Sequence, residues 1–172
     1  MLFNAMMGHG MLGTVGSGAL TGIDMALWDL KAKALDVPLW YILGGKFRDK
    51  IKVYAHAGNS KRAKELKEKG FTAIKTGGVS NIVNIVNDIR QTIGNEIDLM
   101  VDTHGPPWLT TKDALILGKK LEEFNLLFFE DPVAPENISG LTELKRNLNI
   151  PIAAGERSSF IWGFKNLIDN NC

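Results

Sequence analysis

The chain has 172 residues, of which 45% are hydrophobic and 23% are charged, the composition of an ordinary soluble globular protein. Its 20 Lys and Arg residues nearly balance its 19 Asp and Glu residues, which argues against a whole-chain field that attracts nucleic acid or an anionic membrane. One cysteine, Cys172, excludes an internal disulfide framework. The N-terminus lacks a basic signal segment, and no apolar run reaches about 18 residues, so we expect a cytoplasmic protein.

The first nineteen residues are rich in glycine, which predicts a loop-like lead-in. Gly8, Gly10 and Gly13 satisfy the spacing G-x-G-x-x-G. A dinucleotide site also needs a strand before this motif and a helix that opens within it. Residues 1–7 are too short and too rich in methionine to supply that strand. We therefore interpret the segment as a glycine-rich loop.

A helix is predicted from Leu20 onward. Apolar residues recur there at spacings of three and four along one face, namely Leu20, Ile23, Leu27, Leu30 and Ala34. Pro38 and the following Gly44-Gly45 pair break the pattern. We expect this face to be packed against other parts of the protein.

After Asp49 the sequence alternates between short apolar runs and helical segments. The runs predicted to form strands are Ile51–Ala57, Ala73–Thr76, Leu99–Asp102, Leu126–Glu130 and Pro151–Gly155. The segments predicted to form helices are Lys61–Lys69, Asn81–Ile93, Thr111–Phe124, Ile138–Asn147 and Ile161–Asp169. Strand centres recur every 21 to 27 residues, which is typical of parallel strands joined by helical crossovers. The predicted fold class is therefore α/β, with five β-then-α units.

Three successive predicted strands are followed or ended by a carboxylate: Asp102 in VDTHG, Glu130 in FFEDP and Glu156 in AAGER. In a parallel barrel, functional groups lie where the strands end. Three carboxylates, together with water and a substrate, suit a hard octahedral cation such as Mg²⁺. Each acid could instead cap the helix that follows it. Three such acids in consecutive units favour a metal site.

Two further polar side chains occupy similar places. His104 lies two residues beyond Asp102, so strand alternation points both to the same side, and a histidine there suits a general acid or base. Lys75, at the end of the second strand in AIKTGG, either neutralises a substrate carboxylate or forms an ion pair with a neighbouring acid. His56, at the end of the first strand, is a weaker candidate that fits a structural role or a pocket wall.

Five stretches carry a resemblance to a known family: TGIDMALWDLKAKALDVPLW, AIKTGG, LMVDTHGPPW, LLFFEDPVAPEN and PIAAGERSS. They resemble the mandelate racemase/muconate lactonizing enzyme family of the enolase superfamily, and within it acid-sugar dehydratases such as galactonate dehydratase. The resemblance implies a (β/α)8 TIM-like barrel covered by an N-terminal capping domain. It also implies that Asp102, Glu130 and Glu156 are Mg²⁺ ligands and that His104 is the general acid that helps expel a hydroxyl group.

The sequence departs from this family in three respects. The second strand reads Lys75-Thr76-Gly77, whereas racemases and epimerases of the family carry K-x-K, with the second lysine as a base. Only five of eight strands are visible, and a complete barrel takes about 250 residues. The family's usual general base, a seventh-strand histidine paired with a sixth-strand aspartate, has no counterpart. We therefore expect a truncated chain, with residues 1–19 as a glycine-rich remnant of the capping-domain linker and residues 20–172 as a partial barrel that begins with a helix from the end of the cap.

The resemblance implies an Mg²⁺-dependent dehydratase of a sugar acid (an aldonate) that abstracts the α-proton and forms an enediolate, which the metal and Lys75 stabilise. We expect this activity to be impaired in a truncated chain. One alternative is a racemase or epimerase of a hydroxy acid. Another is a catalytically inactive partial barrel that self-associates through its unpaired strand edges. The expected partners are a small-molecule carboxylate and further copies of the chain, and neither nucleic acid nor a membrane.

Overall fold

The structure, a computed structural model, describes residues 13–172. The G-x-G-x-x-G motif, apart from Gly13, and residues 1–12 of the predicted lead-in lie outside the described residues. The chain divides into two compact units. One comprises the residues up to Ile51 together with Arg157–Phe164, and the other comprises Lys52–Glu156 together with Lys165–Cys172. Each helix within residues 13–172 is too short or too polar to cross a membrane.

The elements alternate between helix and strand after the first two helices. The helices are α1 (Thr14–Ala34), α2 (Leu39–Ile42), α3 (Ser60–Glu68), α4 (Ile82–Ile93), α5 (Thr111–Leu121), α6 (Ile138–Asn147) and α7 (Phe160–Asp169). A 3₁₀ turn, Glu122–Phe124, extends α5. The strands are β1 (Ala55–His56), β2 (Ala73–Gly77), β3 (Asp98–Asp102), β4 (Phe128–Glu130) and β5 (Ile152–Ala153). The five predicted β-then-α units are thus all present.

The first unit contains α1, which begins at Thr14 and not at Leu20 as predicted. Residues 14–19, which the glycine content placed in a loop, are therefore helical. Glycine disfavours a helix interior by about 1 kcal/mol relative to alanine. A tertiary contact opposes this cost, because Ser17 is buried and its hydroxyl lies 2.8 Å from that of Ser159.

The apolar face of α1 was predicted to be packed, but several of its residues are exposed in the first unit. Leu27 and Leu30 are 55% and 64% exposed, and Ile23 is exposed as well. The neighbouring helix α2 has 4 residues, whereas α1 has 21, so α2 is too short to cover the stripe. Helical periodicity shows that a face is apolar but does not show what covers it.

The second unit is built on a parallel five-stranded sheet with the order β1-β2-β3-β4-β5. The α/β class and the partial barrel topology predicted from the sequence are confirmed. Ile74, Leu99, Val101 and Phe129 are fully buried along the sheet, as expected for strands that helices cover. The core continues into the apolar sides of α3 to α6.

The edge strands are shorter than predicted. β1 covers only Ala55–His56, and the upstream residues Ile51 and Val53 are exposed. The register explains this difference, because Ala55 pairs with Ile74 and β2 begins only one residue earlier, at Ala73. Residues before Tyr54 therefore have no β2 residue to pair with.

A buried arginine on α4 closes the turn between α4 and β3. The Arg90 guanidinium donates hydrogen bonds to four backbone carbonyls, those of Gly94, Ile97, Phe124 and Asn125, at 2.8 to 3.1 Å. Burial lowers the pKa of Arg90 below its ordinary value. The side chain has a structural role that the sequence did not indicate.

Candidate active site

Strand register brings three predicted site residues together at the carboxyl end of the sheet. Asp102 on β3 pairs with Gly77 of β2 on one side and with Glu130 of β4 on the other. Lys75 Nζ lies 2.9 Å from Asp102 Oδ2 and 2.7 Å from Glu130 Oε2. The three side chains are largely buried, so solvent screens these ion pairs weakly.

The Lys75 ammonium is held in its charged form. Burial lowers the pKa of Lys75, but hydrogen bonds to Glu130 and Asp102 outweigh burial and raise the pKa above its ordinary value. The ring of Tyr54 lies 5.3 Å from the ammonium and adds a cation–π contact. Of the two roles predicted for Lys75, the structure contains the ion pair with neighbouring acids.

His104 lies just beyond β3 and contacts four other residues. Its backbone N–H donates to Asp102 Oδ1 at 2.9 Å. Its Nδ1 lies 2.7 Å from Asp131 Oδ2 and 3.2 Å from Glu156 Oε1. The ring of Trp108 meets the imidazole edge to face, with 5.0 Å between centroids. These contacts give the imidazole one defined orientation.

Carboxylates surround this imidazole. The hydrogen bond to Asp131 raises the pKa of His104 above its ordinary value, burial opposes that change, and the charges of Glu156, Asp131 and Asp102 add to it. The imidazole therefore keeps its proton to higher pH than a free histidine. That property suits a proton donor near neutral pH.

Asp131 was missed by the sequence analysis. It is 1% exposed, and its Oδ1 has no hydrogen-bond partner among the described residues. Strand alternation places the residue after Glu130 on the opposite face, but Asp131 has a positive φ of 42° that turns its side chain toward His104. A signal was present in FFEDP, because two consecutive acids follow a buried strand there.

The predicted site residues fall into two neighbouring groups in the second unit. Asp102 and Glu130 share Lys75, whereas Glu156, which follows β5 and is 47% exposed, lies beside His104. His104, Asp131 and Glu156 each offer a ligand atom within 4.8 Å of the other two. His56 ends β1 as predicted, and its ring packs near Tyr54 with 5.8 Å between centroids.

The charge of this cluster fits a divalent cation. The six side chains are the Lys75 ammonium, the His104 imidazole and four carboxylates, those of Asp102, Glu130, Asp131 and Glu156. The carboxylates are therefore in excess whether or not the histidine is protonated. Oxygen atoms are the donors that Mg²⁺ prefers, and its usual site combines carboxylates with water and substrate oxygens. The residues present therefore fit the predicted metal.

A cavity of about 500 Å³ opens next to His104. The loops after β2 and β3 line it with both polar and apolar groups, including Gly78, Thr103, His104, Trp108 and Leu109. Loops at the carboxyl ends of parallel strands are the usual place for a small-molecule site. The cavity is of the size expected for a small organic ligand.

Comparison with known families and structures agrees with this architecture. The profile of the enolase C-terminal domain-like family matches residues 59–172, and that of the mandelate racemase/muconate lactonizing enzyme N-terminal domain matches residues 4–44. The crystal structure of the 3,6-anhydro-D-galactonate cycloisomerase from Zobellia galactanivorans is 33% identical, with a TM-score of 0.93 over 99% of this chain and 50% of that chain.

Two further solved structures are similar over nearly the whole chain. An enolase superfamily member from Salmonella Typhimurium is 29% identical, with a TM-score of 0.86 over 99% of this chain and 53% of that one. A protein from Zymomonas mobilis ZM4, provisionally named a dehydratase, is 30% identical, with a TM-score of 0.85 over 99% of this chain and 52% of that one. The chain thus spans about half the length of these relatives. It belongs to the mandelate racemase/muconate lactonizing enzyme family of the enolase superfamily.

Proposed function

We propose that this chain carries the metal-binding and proton-donating side of the active site of an Mg²⁺-dependent dehydratase that acts on a sugar acid. The observation that carries the proposal is the pairing of Asp102 with Glu130 at the carboxyl end of the sheet, with the Lys75 ammonium bound to both carboxylates and His104 beside them. Family membership supports an enzyme that acts on a small carboxylic acid. The name of the Zobellia relative contains a galactonate, which supports a sugar acid as that substrate.

Asp102, Glu130 and Glu156 would hold the metal. When bound, Mg²⁺ supplies a Lewis acid that stabilises negative charge developing on the substrate carboxylate. Lys75 keeps a positive charge at the same place, because its ammonium is fixed between two acids and stays protonated. A fixed positive charge in a partly buried site stabilises an anionic transition state without reorganisation.

His104 would donate the proton that accompanies loss of the hydroxyl group. The α-proton leaves to a base, the C–O bond at the β-carbon breaks, and the hydroxyl departs as water with the proton from His104. The resulting enol then gives a 2-keto-3-deoxy acid. The position of His104 beside the cavity and its raised pKa support this role.

A second candidate is cycloisomerisation of an anhydro sugar acid, which the 33% identity to the Zobellia enzyme favours. Both reactions start by removing the α-proton and differ in the leaving oxygen, which is a hydroxyl in one and a ring ether in the other. Racemisation with a lysine base is less well supported, because Gly77 stands where the second lysine of K-x-K is expected.

Metal binding by the 172-residue chain tests the ligand set without any need for catalysis. We expect isothermal titration with Mg²⁺ to show one site, and Asp102→Asn, Glu130→Gln and Glu156→Gln each to weaken it by about tenfold or more. Glu143→Gln, on the exposed side of α6, is the matched control and should bind like the wild type. Equal binding by all four variants would refute the ligand assignment.

Product analysis separates the two reactions. The chain, whose activity we expect to be impaired, is incubated with Mg²⁺ and a panel of aldonates and anhydro-aldonates, and trace products are identified by mass spectrometry and NMR. Dehydration removes one water from the mass of an aldonate, whereas cycloisomerisation leaves the mass of an anhydro-aldonate unchanged. An inverted stereocentre at unchanged mass and connectivity would instead indicate a racemase or epimerase.

A further inference from the structure

We propose that Asp131 is a positioning residue that fixes the imidazole of His104, so that Nδ1 is committed to the protein and Nε2 is the nitrogen that exchanges a proton with the substrate. This inference rests on the proposed role of His104 as proton donor. Asp131 lies outside the set of metal ligands and catalytic residues predicted from the sequence.

The contact itself is short and buried. Asp131 Oδ2 lies 2.7 Å from His104 Nδ1, a distance typical of a hydrogen bond to an ionised group. Asp131 is 1% exposed, so water does not compete for this carboxylate. An acceptor at Nδ1 holds the proton on that nitrogen. Nε2, on the other side of the ring, is then the nitrogen left for the substrate.

The backbone of Asp131 is fixed from both neighbouring strands. Its N–H donates to the carbonyl of Ala153 on β5 at 2.9 Å. Its own carbonyl accepts from the Thr103 hydroxyl, which follows β3, at 3.2 Å. The φ of 42° is a conformation that few residues other than glycine adopt, although aspartate adopts it more readily than most. Backbone strain of this kind persists where surrounding bonds impose it and is concentrated at functional sites.

Glu156 is the competing acceptor, since its Oε1 lies 3.2 Å from the same Nδ1. It is the weaker candidate for a positioning role on two counts. The distance is longer, and Glu156 is 47% exposed whereas Asp131 is buried. A longer, exposed side chain loses more conformational freedom when it is fixed, so it sets the orientation of a neighbour less firmly. Asp131 therefore defines the ring position.

With Asp131 at Nδ1, proton transfer from His104 to the substrate runs through Nε2. The His104 imidazolium gives its Nε2 proton to the departing hydroxyl oxygen as the C–O bond breaks, and the electron pair of that bond leaves with the oxygen as water forms. The neutral imidazole keeps its Nδ1 proton, still hydrogen-bonded to Asp131. A carboxylate at Nδ1 thus matches the tautomer that the reaction produces. An amide in its place would present either a donor or a neutral acceptor and would not impose that tautomer.

Nitrogen NMR of the 172-residue chain tests the inference directly. Long-range ¹H–¹⁵N correlation spectra of the neutral imidazole show which ring nitrogen carries the proton, and His104→Gln identifies the signals. We expect the Nδ1–H form in the wild type, a shift toward the Nε2–H form in Asp131→Asn, and no change of tautomer in Glu156→Gln. An Nε2–H form in the wild type would overturn the inference, and that measurement does not need the Asp131→Asn or Glu156→Gln variant to fold.

Two other outcomes also count against it. An unchanged tautomer in a folded Asp131→Asn variant would show that another contact orients the ring, and a changed tautomer in Glu156→Gln would identify Glu156 as the positioning group. None of these readouts depends on catalysis. A wild type with the expected tautomer but no Mg²⁺ binding would contradict the proposed function and leave the positioning role intact. In an active enzyme, Asp131→Asn should lower kcat about 10²-fold or more and leave KM unchanged.

Discussion

Lys75 on β2 and Glu130 on β4 are joined across the intervening strand β3, with 2.7 Å between Nζ and Oε2. Asp102, on that middle strand, binds the same ammonium. The Lys75 ammonium therefore connects β2, β3 and β4 at the end of the sheet where the candidate site lies. This arrangement links the stability of the sheet to the charge balance of the site.

Replacement of Lys75 should lower the stability of the sheet, because it changes the charge balance of the site. Lys75→Met leaves Asp102 and Glu130 close together without a cation, and removal of one partner from a buried ion pair costs about 3–5 kcal/mol. We expect the free energy of unfolding in urea to fall by about 3 kcal/mol. Millimolar Mg²⁺ should restore more stability to this variant than it adds to the wild type, because a bound cation stabilises the folded state. Lys52→Met, at an exposed ion pair with Asp98, is the control and should change little.

The His104 environment predicts a specific dependence of stability on pH. The pKa of His104 is raised in the folded state by Asp131 and the nearby acids, so its contribution is complete below the unfolded pKa of about 6.5 and is lost as pH rises through the folded pKa. We expect the stability difference between wild type and His104→Gln to be larger near pH 6 than near pH 9. Urea unfolding at several pH values measures it. A difference that grows with pH would contradict the assigned sign.

Gly77 should not tolerate a side chain. A Cβ at this position would lie 2.8 Å from the carbonyl oxygen of Asp102, which also accepts the N–H of Gly78 at 2.8 Å. Because the obstacle is backbone, Gly77→Ala must displace the end of β3, and we expect it to cost about 1–3 kcal/mol and to weaken Mg²⁺ binding. Gly58→Ala, with no atom within 4 Å of the added Cβ, is the matched control. Equal stability of the two variants, measured by thermal unfolding, would contradict the clash.

Replacement of Arg90 should destabilise the protein even when the new residue keeps the positive charge. Arg90→Lys keeps the charge but cannot reach four carbonyls with the geometry of a guanidinium, so buried acceptors are left unpaired. We expect a loss of about 2–4 kcal/mol in the free energy of unfolding. Arg62→Lys, at an exposed pair with Glu65, should lose less than about 1 kcal/mol. Similar losses for the two substitutions would show that the carbonyl cluster is not important for stability.

The sheet and its order were predictable, because fully apolar runs such as LMV and LFF mark strands covered on both faces. The lengths of β1 and β5 were not, since pairing at an edge depends on one neighbour only. Ile51 and Val53 have the composition of a strand but have no partner opposite them. The start of α1 was also misplaced, because the tertiary contact of Ser17 with Ser159 is not visible in a local pattern.

The candidate site was predictable where it follows strand register. Lys75, Asp102 and Glu130 lie in or at the ends of their strands, and parallel pairing brings such positions together. Asp131 was not predictable in this way, because a positive φ reverses the direction that alternation assigns to its side chain. The role of Asp102, Glu130 and Glu156 as metal ligands stays a prediction, as does self-association of the chain.

Because Gly77, Asp102 and Glu130 are aligned by strand register, the strands and the loops of the site tolerate changes in length differently during evolution. Deletion of one residue within β3 would turn Asp102 to the other face of the sheet and abolish the charge cluster at once. His104 and Glu156 lie on connecting segments, and the cavity beside His104 is formed by loops, where insertions cost little. Relatives can therefore differ in the substrates that their loops admit, while the acids and the lysine on the strands keep their positions. Substrate preference can drift by changes in loop length, but the electrostatic centre keeps its geometry only while the length of β3 is unchanged.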